Sequence, residues 1–262
     1  MSKFLVACDD GHGINTAGKR TPLLKEDIKF RGKIYKKGSC IHENEFNINI
    51  MKMFIEGCKR CGINTLEVAK GDGDVPLATR VSIANNKGAD LYISFHANAL
   101  TGKWQSSAYG LVVIIHEICQ EKTKVLAKNV YDYLKNGVNW YKDGGSKYGV
   151  RTDRDISGFS LYVLKNTKMP AVLVEYGFMD NWEDVKRMCS EKFARDCAES
   201  TLKGVCKTLG VRYVEDSKVN ISNDGVVYRV VAGSYSNKNK AEDLVKELKN
   251  KGYDAFVVIG SI

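Results

Sequence analysis

The chain has 262 residues, with 40 Lys and Arg against 31 Asp and Glu, and is 44% hydrophobic and 27% charged. Such proportions exclude a wholly disordered or fibrous chain, and no apolar run reaches the roughly 20 residues of a membrane span. The formal charge of +9 asks for an anionic partner without naming one.

The first apolar run, Phe4-Leu5-Val6-Ala7-Cys8, stops at Asp9 and Asp10. It is shorter than the roughly 7–15 residues of a signal-peptide core, so the chain is expected to be made without an export signal and to reside in the cytoplasm. Further short runs rich in β-formers follow at Thr65–Ala69, Leu91–Phe95, Leu111–Ile115 and Ala171–Val174. Helical patterns fall between several of them, at Glu45–Cys61, Leu77–Lys87, Glu121–Leu134 and Trp182–Leu209. Strands alternating with helices predict an α/β domain around a mostly parallel, buried sheet. From Lys19 to Lys37 eight Lys or Arg stand against Glu26 and Asp27, a stretch that reads as a solvated loop or as a basic rim beside a site. With no signal peptide, the eight cysteines read as reduced thiols. Cys58-Lys-Arg-Cys61 has redox-motif spacing but ends a helical pattern, which favours structural thiols.

In open α/β sheets chemistry gathers beyond the carboxyl ends of strands. The first run is followed by Asp9-Asp10-Gly11-His12-Gly13, the third by His96-Ala97-Asn98-Ala99, and the fifth by Glu175-Tyr176-Gly177. Two of only four histidines and one glutamate thus fall at equivalent places on three strands. Imidazoles and carboxylates are the ligands of a catalytic zinc, which takes three protein groups and keeps a fourth position for water. A third ligand would come from Glu43 or Glu45, and Glu175 would then handle protons. There is no HExxH, so the helical protease arrangement is not available. His42 and His116 belong to no motif and read as structural.

Five segments in order carry a resemblance: Asp10-Gly11-His12-Gly13; Glu43 with Asn47; Arg80 with Ala84-Asn85; Ser94-Phe95-His96-Ala97-Asn98-Ala99; and Pro170 through Asn181, which contains Glu175-Tyr176-Gly177-Phe178. Together they resemble the zinc-dependent N-acetylmuramoyl-L-alanine amidases of the type-3 amidase family, over about residues 3–210. The resemblance implies an α/β fold with a mixed, mostly parallel sheet and helices on both faces, zinc held by His12, Glu43 and His96, and Glu175 as the catalytic carboxylate. It favours Glu43 over Glu45 because the family's asparagine four residues on falls on Asn47. Asn98 and Arg154 are expected to contact substrate, and Arg80 to organise loops through salt bridges. The substrate implied is peptidoglycan, cut between N-acetylmuramic acid and the L-alanine of the stem peptide.

Residues 213–224 are mostly polar and read as a linker, so the chain divides into a catalytic domain at 1–212 and a segment at 225–262. After residue 212 the charges cancel, and the whole +9 belongs to the catalytic domain. The tail reads strand, helix, strand: Val226–Ala232, a helix with Ala241, Leu244, Val245 and Leu248 on one face, then Ala255–Ile259. Tyr228 through Tyr235 and Gly252-Tyr-Asp-Ala255 resemble the opening half of a SPOR domain, a family that binds peptidoglycan glycans. Half a domain is too small for a secure core, so two copies are expected to pair into a homodimer through it, with docking on the chain's own amidase domain and a degenerate, weakly folded tail as the alternatives. The reading is a cell-wall lytic enzyme of the endolysin type, held in the cytoplasm until lysis. A cellular autolysin of the same chemistry and a catalytically silent wall-binding protein are the alternatives. Neither nucleic acid nor membrane insertion is expected.

Overall fold

The structure is a computed structural model, and it describes residues 4–141, 149–216, 233, 235–251, 255 and 257. The chain forms two units, Met1–Asp216 and Ser217–Ile262.

A six-stranded sheet organises the first unit, in the order β4-β1-β5-β8-β6-β7. The strands are β1 (Leu5–Asp9), β4 (Asn64–Glu67), β5 (Leu91–Asn98), β6 (Leu111–Ile115), β7 (Gly149–Thr152) and β8 (Ala171–Phe178). β4, β1, β5 and β8 run parallel, whereas β6 runs antiparallel to β8 and β7 follows β6. The sheet is mixed and mostly parallel, as the resemblance implies: the alternation predicts its parallel part, and the reversed β6 makes it mixed.

Alternation along each strand divides the side chains between two cores. Val6, Cys8, Leu91, Ile93, Phe95, Val172 and Val174 face a larger core shared with α1 (Glu43–Arg60), α3 (Glu121–Gly137) and α7 (Glu191–Leu209). Ala7, Tyr92, Val112, Ala171 and Leu173 face a smaller one under α2 (Leu77–Asn86) and α5 (Tyr162–Asn166). By the same parity Asp9, Ser94, His96 and Glu175 lie on the α2 face.

Several boundaries differ from the sequence expectation for identifiable reasons. β5 and β8 continue past Phe95 and Val174, so His96 and Glu175 are paired strand residues rather than loop residues. β8 then carries an extra residue against β5, where Gly177 takes φ +139°. The expected single helix from Trp182 is two, α6 (Trp182–Met188) and α7, because the Ser190 side chain accepts from Phe193 N and starts a new helix. The basic stretch contains a hairpin of β2 (Ile28–Phe30) and β3 (Lys33–Tyr35), turned by Arg31 and Gly32 at positive φ. Phe30 anchors it against Phe46 of α1, with ring centroids 5.1 Å apart. A five-residue helix, α4 (Asp153–Ser157), follows β7. All eight cysteines are free.

Residues 213–216, which composition assigns to the linker, are bound to the first unit. Arg60 Nε donates to Val214 O at 2.8 Å, Val214 N donates to Cys61 Sγ, and Tyr213 OH donates to Glu199 at 2.6 Å. In the second unit the expected helix is α8 (Lys238–Asn250), capped by the Asn237 side chain. The strand at Val226–Ala232, most of that at Ala255–Ile259, and the linker from residue 217 lie outside the described residues.

α7 approaches α3 closely at Gly204, where an added Cβ would lie 2.6 Å from Val130 Cα. Helix propensity alone would make Gly204→Ala stabilising by about 1 kcal/mol. The steric conflict is with backbone, so the substitution is expected to destabilise instead, by roughly 1–3 kcal/mol in urea unfolding.

A candidate metal centre at the strand ends

β1 ends at Asp9, and the chain then turns through Gly11 (φ +51°) and His12 (φ +55°). Gly11 is required by closeness as well as by φ, since a Cβ there would fall 2.5 Å from the His96 ring. His12 has no such freedom, and its left-handed backbone is held from three sides. Arg80 Nη2 donates to His12 O at 3.1 Å, Asn44 Nδ2 to His12 O at 3.3 Å and to Gly11 O at 3.2 Å, and Asn47 Nδ2 to Gly11 O at 3.5 Å.

Arg80 is 1% exposed and pairs with Asp9 Oδ1, with Asp74 Oδ1 at 3.0 Å, and with Val75 O at 2.8 Å. Asp9, equally buried, also accepts from Gly11 N, Tyr92 OH (2.9 Å) and Ser94 Oγ (2.7 Å). Burial works against its charge, but Arg80, His96 and Ser94 outweigh burial and hold Asp9 below the usual carboxylate range.

The pinned loop, the start of α1 and the end of β5 bring three side chains together. Glu43 is the first residue of α1 and 1% exposed. Its Oε1 lies 2.9 Å from His96 Nδ1 and accepts from Ala97 N at 3.3 Å. Its Oε2 lies 3.5 Å from His12 Nε2 and 3.7 Å from Lys19 Nζ, with no hydrogen-bond donor of its own. One donor atom from each of His12, Glu43 and His96 lies within 4.8 Å of the others, the arrangement of residues that could hold a metal ion. Glu175 sits directly across from His96 in the β5–β8 register, and its Oε2 is buried without a hydrogen-bond partner.

Burial is the largest influence on each of these groups. It lowers the His12 pKa to about 4, leaving a neutral imidazole fit for coordination. It raises Glu175 to about 7, with the nearby Glu43 charge adding to the effect. Glu43 goes the other way, to about 2, because the hydrogen bond from His96 and the nearby cationic groups outweigh burial. His96 is raised for the reciprocal reason. Two carboxylates at one site are thereby set apart, one held ionised and one able to carry a proton near neutral pH.

Glu45, the rival ligand, is committed elsewhere. Its Oε2 accepts from His42 N at 3.0 Å, closing a capping box at the start of α1, and its Oε1 accepts from Tyr35 OH. Asn98 follows His96 on the same strand face, two residues on, and its Oδ1 accepts from Ala99 N. Arg154 does not join the site. It follows β7, whose Thr152 pairs with Ile115, and β6 runs antiparallel to β8, so Arg154 lies at the opposite end of the sheet. There its Nε donates to Glu117 at 2.9 Å. Sequence alone gives no hint that β6 is reversed, and that reversal is why the expected substrate contact fails. His116 lies at that same end, paired at 2.9 Å with the buried Asp153. Asn44 and Lys19 are the residues of the site that sequence reasoning missed. Asn44 is one position past Glu43, and Lys19 is hidden in the basic stretch.

The fold and this cluster define a hydrolase of the mixed α/β type with a His–Glu–His centre. A family model for N-acetylmuramoyl-L-alanine amidases matches residues 6–207, and one for the SPOR domain matches residues 202–259. The chain therefore belongs to the N-acetylmuramoyl-L-alanine amidase family and is a peptidoglycan amidase, with a SPOR match at its C-terminal end. It is 31% identical over 216 residues to the endolysin of Bacillus phage SPP1, covering 81% of this chain and 68% of that one. It is 26% identical over 196 residues to the amidase CwlM of Bacillus licheniformis, covering 75% and 67%. Among solved structures, the amidase AmiC2 of Nostoc punctiforme superposes with a TM-score of 0.62 at 26% identity, covering 80% of this chain and 98% of that one.

Arg80→Met keeps the stem of the side chain and removes the charge. It strands Asp9 in the interior, and about 3–5 kcal/mol of stability is expected to be lost in denaturant unfolding.

Proposed function

We propose that this amidase is zinc-dependent, with the metal held by His12, Glu43 and His96 and with Glu175 as the proton carrier. One observation carries the reading. Three donor atoms from a turn, a helix start and a strand converge within 4.8 Å, and Glu43 Oε2 is buried among them with no hydrogen-bond donor. Imidazole–carboxylate–imidazole is the donor chemistry of catalytic zinc sites. When bound, zinc supplies Lewis acidity, which makes water acidic near neutral pH and polarises the scissile amide.

The protein's own residues account for the rest. Glu175 Oε2 accepts the proton of the attacking water and returns it to the nitrogen of the departing L-alanine. A carboxyl raised by burial to about 7 suits both halves of that transfer. His12 is kept neutral, and its loop is fixed by Arg80 and Asn44. Asn98, beyond His96 on the same face of β5, contacts the substrate. The SPOR segment holds the enzyme on wall glycan. Residues 202–209 of the SPOR match already lie in α7. Pairing of two such segments rests on the segment's shortness alone. A lytic role in phage release is supported by the likeness to the SPP1 endolysin.

Glu175→Gln is expected to lower hydrolysis by at least about a thousandfold. Bound zinc should stay near one per chain, and loss of metal in that variant would make Glu175 a ligand. Glu43→Ala should lower zinc content measured by atomic emission, whereas unchanged content would move the assignment elsewhere. Digestion of purified walls should expose new N-terminal L-alanine and stop with chelator. New reducing sugar ends in place of L-alanine would refute the amidase reaction.

A further inference from the structure

A half-buried tryptophan pair, packed on its inner side against the larger core, stands at the same end of the sheet as the metal centre. Trp104, in the loop after β5, and Trp182, the first residue of α6 after β8, meet edge to face with ring centroids 5.1 Å apart. Lys25 from the basic stretch places its ammonium 5.3 Å from one ring and 5.7 Å from the other. Trp104 Nε1 donates to Leu23 O at 2.8 Å. Leu23 and Leu100 beside them are 67% and 54% exposed.

The pair is built rather than incidental. Asp180 is completely buried, and its Oδ2 accepts from three consecutive backbone N–H groups, Leu100, Thr101 and Gly102, at 2.8, 2.7 and 3.1 Å. Its Oδ1 accepts from Gln105 Nε2 at 2.9 Å, and Gln105 N donates to Asp180 O. Asn181 next to it caps α6 and also donates to Ala108 O. One corner, Asp180-Asn181, thus fixes both the loop that carries Trp104 and the helix that starts at Trp182. The chain itself limits how far the tryptophan pair can lie from the candidate metal centre. Lys19 is paired with Glu43, and Leu23 and Lys25 lie four and six residues further along, at most about 22 Å of extended chain.

We propose that Trp104, Trp182 and Lys25 form a saccharide subsite that binds the glycan strand next to the scissile amide. The inference rests on the amidase reading. Pyranose rings present apolar faces of C–H groups ringed by hydroxyls, and an indole pair matches them at low entropic cost. Lys25 donates to hydroxyl and amide oxygens from above the rings. The subsite makes the enzyme select muramic acid within a polymer over a single muramyl-peptide.

Two measurements on the full-length chain test this. The first compares kcat/KM for a stem-bearing tetrasaccharide with that for a muramyl-peptide of one sugar. Trp104→Ala and Trp182→Ala are each expected to reduce that ratio roughly five- to tenfold with zinc content intact. An unchanged ratio overturns the subsite. The second uses fluorescence, because the chain has three tryptophans and the third, Trp140, is only 8% exposed in the core. In the Glu175→Gln background, titration with the tetrasaccharide should change the emission. The change should vanish when Trp104→Phe and Trp182→Phe are combined, variants that keep the ring packing if alanine does not fold. An emission change that persists with Trp140 alone, or none in the parent, overturns the proposal. Failure of the wild type to release L-alanine ends would instead remove the amidase reading, and the titration would still read the tryptophan pair.

Discussion

The buried pair of Asp9 and Arg80 is the constraint on which the centre depends. Asp9 closes β1, and its two oxygens bind the turn that follows, the neighbouring strand through Tyr92 and Ser94, and α2 through Arg80. Arg80 in turn reaches past Asp9 to the carbonyl of His12. A charge pair in the interior adds little net stability. Its effect here is positional: it fixes a residue with an unfavourable backbone angle at the point where two histidines come within a ring's width of each other. The apolar sheet could form without this pair, but the His12 turn would keep only its contacts to Asn44 and Asn47.

The centre is also a case of one helix terminus doing two jobs. Glu43 and Glu45 both stand in the first turn of α1, where a carboxylate is favoured by the free N–H groups. Glu45 turns back to cap the helix and brace the hairpin through Tyr35, and Glu43 turns inward to the histidines. The difference of two residues is a difference of faces on a helix, and that separates a structural acid from one poised for a cation. Helix geometry, not acidity, decides between them.

Much of this was legible from residues. The alternating strands and helices gave the layered sheet, and glycines around His12 announced a sharp turn at the end of β1. His96 and Glu175 were visible as polar interruptions in apolar runs. Their exact relation, face to face across one register, was not, because strand pairing depends on contacts 79 residues apart in sequence. The direction of β6 was equally hidden. Its composition, Leu-Val-Val-Ile-Ile, suits a buried strand of either direction, and only the antiparallel ladder to β8 shows that Arg154 is carried away from the centre. The three-residue strands of the hairpin, half of them lysine or polar, left no periodic signal to read. Lys19 sits in that same stretch, where one useful lysine looks like any other.

The clasp of Arg60 on Val214 has a mechanical consequence. Arg60 is the last residue of α1 and Glu43 the first, so 18 residues of helix, about 27 Å, separate the proposed metal ligand from the point where the chain leaves the first unit. A pull on the chain at Val214 acts on the end of α7, which it directly follows, and through Arg60 on the C-terminal end of α1 and the Glu199 bridge between the two helices, not on the loops that hold His12. Strain entering at Val214 is thereby spent on two helix ends, a helix length away from the candidate centre.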